Sequence, residues 1–447
     1  MGRMTTARRP DDHYLARLPD GTVKQVNPFT GTQVWTVPGR GNRPLGAPAL
    51  AAAPVAEDER DRLCAFCPER YAETPPEKSR LVRTRAGQAD PGWATLTGLS
   101  RTELHDSVAE FRRVPNLFEI LSYDYWRLNH GVTLPAAARA RRDAYLADPA
   151  GRAHVLAVAR AKALAGGATA EAWELLDEGQ RLAGTEAFFG GGHDVIVARR
   201  HLVDGATDTS ALASSGTLTP EEHRAYVGFT IDAMADLYAS NPHVRYVAAF
   251  QNWLKPAGAS FDHLHKQLVA IDELGTQAEQ EQERLRRHPT LYADAGPALA
   301  ERAGLVVART EHAVAYAGFG HRYPTLEVHS LSPQREPWRQ QRHEVDAVAD
   351  LLHALHAATG VHVPCNEEWH HTPTGVDLPL PWRIVLKWRV STLAGFEGGT
   401  KIYVNTIDPL ALRDRVVTRL HALADEGRLA DGIRLSPPTR PDASHQA

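Results

Sequence analysis

The chain has 447 residues, with 50 Lys and Arg against 54 Asp and Glu and a formal net charge of −4. Balanced charge without a basic stripe argues against nucleic acid as a partner, and no apolar run approaches the roughly 18 residues that cross a bilayer. Three cysteines are too few for a disulfide framework. Together with Arg3, Arg8, Arg9, Asp11 and Asp12 where a leader would be apolar, they point to a reducing, cytoplasmic setting.

In chain order, residues 1–20 read as a disordered tail. Residues 22–26 and 33–37 read as a hairpin, with turn signals at Asn27-Pro28 and Thr30-Gly31. Arg40 and Arg43 follow in a Gly/Pro loop, where two guanidinium groups suit either a phosphate or a solvated turn. Cys64-Ala65-Phe66-Cys67 has the spacing of half a zinc site. No second such pair follows, so if zinc is bound its further ligands are His or carboxylate; two unconnected thiols are the alternative. Residues 136–183 are dense in Ala, Leu, Arg and Glu and read as the helices of an insertion, about 120–187, that serves as scaffold. A Val/Ile strand over 193–198 leads to His201. A helix over 218–239 follows, with Thr219 and Glu222 spaced as a capping box.

The stretch that organises the rest is 244–267. An apolar strand over 244–250 runs into a loop holding Pro256 and Gly258, and then His263, His265 and Gln267 alternate. In an extended segment that alternation puts all three side chains on one face. Two imidazoles and a carboxamide buried there without partners would be costly, yet they serve well as metal ligand, nucleophile and hydrogen-bond donor. A lone histidine is more often a satisfied, partly exposed residue. Three polar residues in register beside a Gly/Ala/Ser loop shift the balance toward chemistry. Beyond them, strands are expected over 305–308, 313–317, 325–331, 361–369 and 382–390, with a helix over 338–359. Two strand–helix–strand–strand units in tandem predict a duplicated α+β fold.

These residues also carry a resemblance. Asn252, Gly258-Ala259-Ser260 and His263-Leu264-His265-Lys266-Gln267 resemble the active-site segment of galactose-1-phosphate uridylyltransferase-like proteins. These nucleotidyl-sugar transferases and phosphorylases form a branch of the histidine-triad superfamily. Asn27-Pro28-Phe29-Thr30-Gly31, the Arg40/Arg43 loop, Cys64-Ala65-Phe66-Cys67-Pro68, Asn116-Leu117-Phe118, His193-Asp194-Val195-Ile196-Val197 and Ala394-Gly395-Phe396-Glu397-Gly398-Gly399 are similar to other segments of that family, in its order.

The resemblance implies two fused histidine-triad-like half-domains, antiparallel sheets with packed helices, over 21–275 and 276–435, plus the insertion and a disordered tail over 436–447. It implies a ping-pong nucleotidyltransferase with a covalent nucleotidyl-His265 intermediate, Gln267 assisting at the phosphoryl oxygens. Arg40, Arg43, Asn116, Asn252, Gly258, Ser260, Phe396 and Glu397 are the implied substrate contacts. Cys64, Cys67, His201 and His263 are the implied ligands of a structural zinc, with His193 the alternative to His201. The implied partners are a nucleoside diphosphate sugar and a sugar phosphate or phosphate, with no membrane or nucleic acid, in a homodimer. A phosphorylase or hydrolase on the same scaffold and a non-catalytic nucleotide-binding protein are the competing readings. Leu264 stands where the family usually has Pro. Pro381-Trp382-Arg383 stands where many members carry a His-x-His of a second metal site, which is therefore expected to be missing.

Overall fold

The computed structural model describes residues 10–39, 52–84, 92–392 and 394–438. Three short strands open the chain, β1 (Leu15–Arg17), β2 (Val23–Val26) and β3 (Gln33–Thr36). The first of these lies inside the stretch expected as a tail. Next come β4 (Ser79–Arg83), β5 (Trp93–Thr97), β6 (Phe111–Pro115), β7 (His193–Ala198), β8 (Tyr246–Trp253) and β9 (His265–Ile271). The later strands are β10 (Val306–Arg309), β11 (Ala313–Gly318), β12 (Thr325–Ser330), β13 (Cys365–His370), β14 (Arg383–Trp388), β15 (Ile402–Asn405) and β16 (Arg434–Leu435).

Twelve of these strands form one sheet in the order β16-β10-β11-β12-β14-β13-β8-β9-β7-β6-β4-β5. Read outward from the β8–β13 junction, the two arms have matching connectivity. In each, a strand, a long helix and two further strands follow one another in sequence. The helices are Pro220–Ser240 and Arg342–Thr359. The expected tandem of strand–helix–strand–strand units is therefore present in the topology. The remaining four strands make a small sheet, β1-β2-β3-β15, in which β15 runs parallel to β3.

Local chemistry accounts for the first long helix. The Thr219 side chain accepts from Glu222 N at 3.2 Å, and the Glu222 carboxylate accepts from Thr219 N at 2.9 Å. Pro220 sits at the first helical position, where its missing N–H costs nothing. This helix buries Tyr226, Ile231 and Met234, and the second buries Val348, Leu351 and Leu352, all in one continuous core. Both helices cover the same face of the sheet and bind each other through an Arg224–Asp350 pair at 2.6 Å and 2.7 Å. β8 shows the result as strict alternation between buried and half-buried residues. Its half-buried residues Tyr246, Ala248, Phe250 and Asn252 form part of the other, open face.

Strands β4, β5 and β6 lie outside the sequence expectations, and for β4 and β6 the composition shows why. Arg80, Arg112 and Arg113 are buried there, where apolar alternation would normally mark a strand. Glu77 binds both Arg80 Nε at 2.5 Å and Arg112 Nε at 2.7 Å, and Asp194 binds Arg113 Nε at 2.7 Å. Pairing of this kind is what makes buried guanidinium tolerable. The insertion is helical as expected, from Tyr123–His130 to Ala187–Gly190. It packs around its own core, which includes Tyr145, Val155 and Phe188. Among the described residues, no helix is long and apolar enough to cross a membrane.

Candidate active site and metal centre

β9 begins at His265, so His263 stands in the turn ahead of the strand and does not share its face as the alternation predicts. That turn carries it to the CxxC pair. Cys64 Sγ lies 3.8 Å from Cys67 Sγ and 3.4 Å from His263 Nδ1. Cys67 Sγ lies 3.7 Å from His263 Nδ1 and 3.6 Å from His201 Nδ1. The four ligand atoms all fall within 4.8 Å of one another. Tetrahedral zinc, with bonds of about 2.3 Å to sulfur and about 2.0 Å to nitrogen, sets its ligands about 3.8 Å apart for two thiolates and about 3.5 Å for thiolate and imidazole. The cluster can hold a metal, and its donor set and spacing fit zinc. His263 Nε2–H donates to the Ala198 carbonyl at 2.6 Å, which leaves Nδ1 as the free donor and orients the ring.

His193, the alternative ligand, is elsewhere. It is buried with its Nδ1 accepting from Ile120 N at 3.2 Å, so its proton is on Nε2. Nε2–H donates to Gln267 Oε1 at 3.1 Å, while Asn116 Nδ2, itself a donor, lies 3.0 Å from the same nitrogen without accepting from it. Asn116 Oδ1 accepts from Phe118 N at 2.9 Å, which fixes the direction of its amide. His193 and Gln267 thus form one hydrogen-bonded pair, with the Asn116 amide beside it. The part of His193 in it has no signal in the sequence beyond its place at the head of a strand.

His265 is 4 % exposed. Its Nδ1–H donates to the His263 carbonyl at 2.7 Å, so the lone pair is on Nε2. Burial pushes its pKa down to about 4, against the opposing pull of that carbonyl. The ring is therefore neutral at pH 7. Phe66 packs against it at 5.3 Å between centroids and against Phe261 at 4.6 Å. Register pairs His265 with Val197, and Gln267 with both Val195 and Phe250, so the imidazole, the carboxamide and the open face of β8 share one wall.

On that wall Asn252 Oδ1 accepts from Asn366 Nδ2 at 2.7 Å, and Asn366 Oδ1 accepts from Arg389 at 2.7 Å. These groups line a cavity of about 540 Å3 with Phe250, Glu368 and His371. Asn366 and Arg389 are additions that the sequence does not announce. Gly258 caps the short 3-10 turn Lys255–Ala257 in the β8–β9 loop at φ +92°, where glycine is favoured, while Leu254 at the start of the loop holds φ +66°, a strained value for a branched residue. Ser260 is exposed in the same loop. Phe396 and Glu397 stand on the Gly395–Thr400 helix, lining a separate cavity with Trp35 and Val404. Arg40 and Arg43 lie outside the described residues. Arg383, at the position expected to lack metal ligands, binds Glu281 at 2.5 Å and faces Glu327 at 3.8 Å.

The family model described as Domain of unknown function (DUF4921) matches residues 18–444. The chain belongs to the DUF4921 family. No curated protein matches it in sequence. Among solved structures, the DUF4921 chain is similar to an ADP-glucose phosphorylase from Arabidopsis thaliana with bound ADP-glucose, at TM-score 0.55 and 17% identity, over 89% of this chain and 98% of that one. A galt-like protein from Arabidopsis thaliana matches at TM-score 0.53 and 17% identity, over 88% and 98%. The galactose-1-phosphate uridylyltransferase-like resemblance thus holds for the fold of this DUF4921 member, a mixed α/β architecture built on one large antiparallel sheet.

Proposed function

We propose that this protein is a nucleotidyltransferase that moves a nucleoside monophosphate from a nucleoside diphosphate sugar to a phosphorylated acceptor. The observation that carries this is His265, a neutral imidazole whose Nδ1–H is tied to the His263 carbonyl and whose Nε2 keeps its lone pair. In the first half-reaction Nε2 attacks the α-phosphorus, an N–P bond forms, and the phosphoanhydride bond breaks with release of sugar 1-phosphate. In the second, an acceptor phosphate oxygen attacks the same phosphorus and the P–N bond breaks, returning free imidazole. Gln267, its Oε1 held by His193, donates its amide N–H to the phosphoryl oxygens in this reading as charge builds on them. Asn116 and Asn252, with Gly258 and Ser260 in the β8–β9 loop, are the nearby substrate contacts of this reading. Arg40, Arg43, Phe396 and Glu397 complete it.

Zinc held by Cys64, Cys67, His201 and His263 would brace the turn that carries His265, and the chemistry takes place on the imidazole alone. Two fused histidine-triad halves, over 21–275 and 276–435, are supported by the matched strand order of the two arms. A homodimer in the cytoplasm belongs to the same proposal. The phosphorylase variant, with inorganic phosphate as acceptor, is favoured by the fold shared with ADP-glucose phosphorylase.

Incubation with ADP-, UDP- and GDP-sugars followed by mass spectrometry tests the reading. One nucleoside monophosphate on His265 is expected, discharged by sugar 1-phosphate or by phosphate, which distinguishes transferase from phosphorylase. Binding without any adduct would instead favour a nucleotide-binding protein.

A further inference from the structure

Directly after His265, Lys266 turns to the helix-covered face of the sheet and is fully buried, as is its partner Glu367 on β13. Lys266 Nζ also donates to Gln251 Oε1 on β8 at 3.2 Å. Glu367 accepts in addition from Trp369 Nε1 at 2.5 Å and binds His356 Nε2 at 2.7 Å, while Ser215 Oγ donates to Gln251 at 3.0 Å. The network therefore ties the catalytic strand to the other arm of the sheet, across the strand between them.

Burying such a pair is a poor route to stability, because apolar residues of similar volume are often as good or better. The ladder suggests what the pair does instead. β9 pairs with β8 only from Tyr246/Ile271 to Phe250/Gln267. On its other edge β8 pairs with β13, from Phe250 to Trp253. His265 and Lys266 therefore have strand pairing on the β7 side alone, opposite Val197 and Ile196. On their other side, the Lys266 side chain supplies the lateral hold that the backbone does not.

We propose that Lys266 and Glu367, with Gln251, form a positioning device that sets the orientation of His265 and couples it to the C-terminal arm. This rests on the role given to His265 above. The pair does not touch substrate; it acts through the strand.

The test compares wild type with the neutral double variant Lys266→Met/Glu367→Gln, in which the new carboxamide can still accept from Trp369. The readouts are melting, metal per chain, single-turnover nucleotidylation of His265 and hydrogen-exchange protection of the His265 Nδ1–H in 15N-histidine-labelled protein. The expected result is a folded, metal-loaded variant whose transfer rate falls at least about tenfold at unchanged half-saturating nucleotide sugar, and whose Nδ1–H loses protection. A folded variant with wild-type rate and protection would overturn the proposal and leave the pair a staple between the arms. If wild type itself forms no adduct, the functional reading fails separately, and Nδ1–H protection alone decides. If the double variant does not fold, Gln251→Leu takes its place. It removes one acceptor and keeps the ion pair, with the same signs expected in smaller measure and unchanged protection counting against the proposal.

Discussion

An imidazole works as a nucleophile only if one ring nitrogen is kept free of protons and held in place. At His265 both conditions come from one contact, the Nδ1–H bond to the carbonyl of a residue that itself belongs to the Cys/His cluster. Replacing His265 by Ala is expected to reduce transfer at least about 1000-fold while the melting midpoint stays within about 4 °C of wild type. A folded variant with wild-type turnover would remove His265 from the chemistry. A second residue-scale expectation concerns packing. Gly320 has φ +68°, and a Cβ there would lie 2.1 Å from the Asn27 backbone nitrogen. Gly320→Ala should lower stability by about 3 kcal/mol through backbone strain and overpacking together, read as a drop in urea midpoint.

Among the elements, the buried histidines set an acid limit. His154, between Tyr145 and the Thr74 carbonyl, and His353, bonded to the Leu218 carbonyl, are each pushed down to about 4 by burial, and His371 to about 3. Their unfolded value is about 6.5. Between that value and the folded one the unfolded chain binds more protons, so stability is full near pH 7 and falls as pH drops through 6.5 toward 4. Each should contribute a loss of about 1–2 kcal/mol between pH 7 and pH 5, measured by denaturant midpoints; a flat profile over that range would refute it. The same elements show what the sequence can express. The Thr219–Glu222 capping box and the CxxC spacing are local patterns, and both are found as read. β4 and β6 escaped because their buried positions hold arginines: Glu77, three residues before Arg80, also pairs with the distant Arg112, and Arg113 takes its partner Asp194 from β7. Asn366 and Arg389 reach the wall beside Asn252 only through the β8–β13 pairing, which no local window contains.

At the scale of the whole molecule, the Cys/His cluster joins the CxxC pair to histidines 134 to 199 residues further along the sequence. About one zinc per chain is expected by elemental analysis. Cys67→Ser or prolonged chelation should remove it and lower the melting midpoint by about 5–10 °C. A metal-free wild type of unchanged melting would show that the thiols and imidazoles are only neighbours. The parallel pairing of β3 with β15 has a consequence for biosynthesis. Thr36 lies opposite Asn405, so the β2–β3 hairpin, once made, lacks its β15 neighbour until residue 405 has been translated. At about 5–20 residues per second, that edge stays open for tens of seconds, a window in which chaperones or a neighbouring nascent chain can reach it.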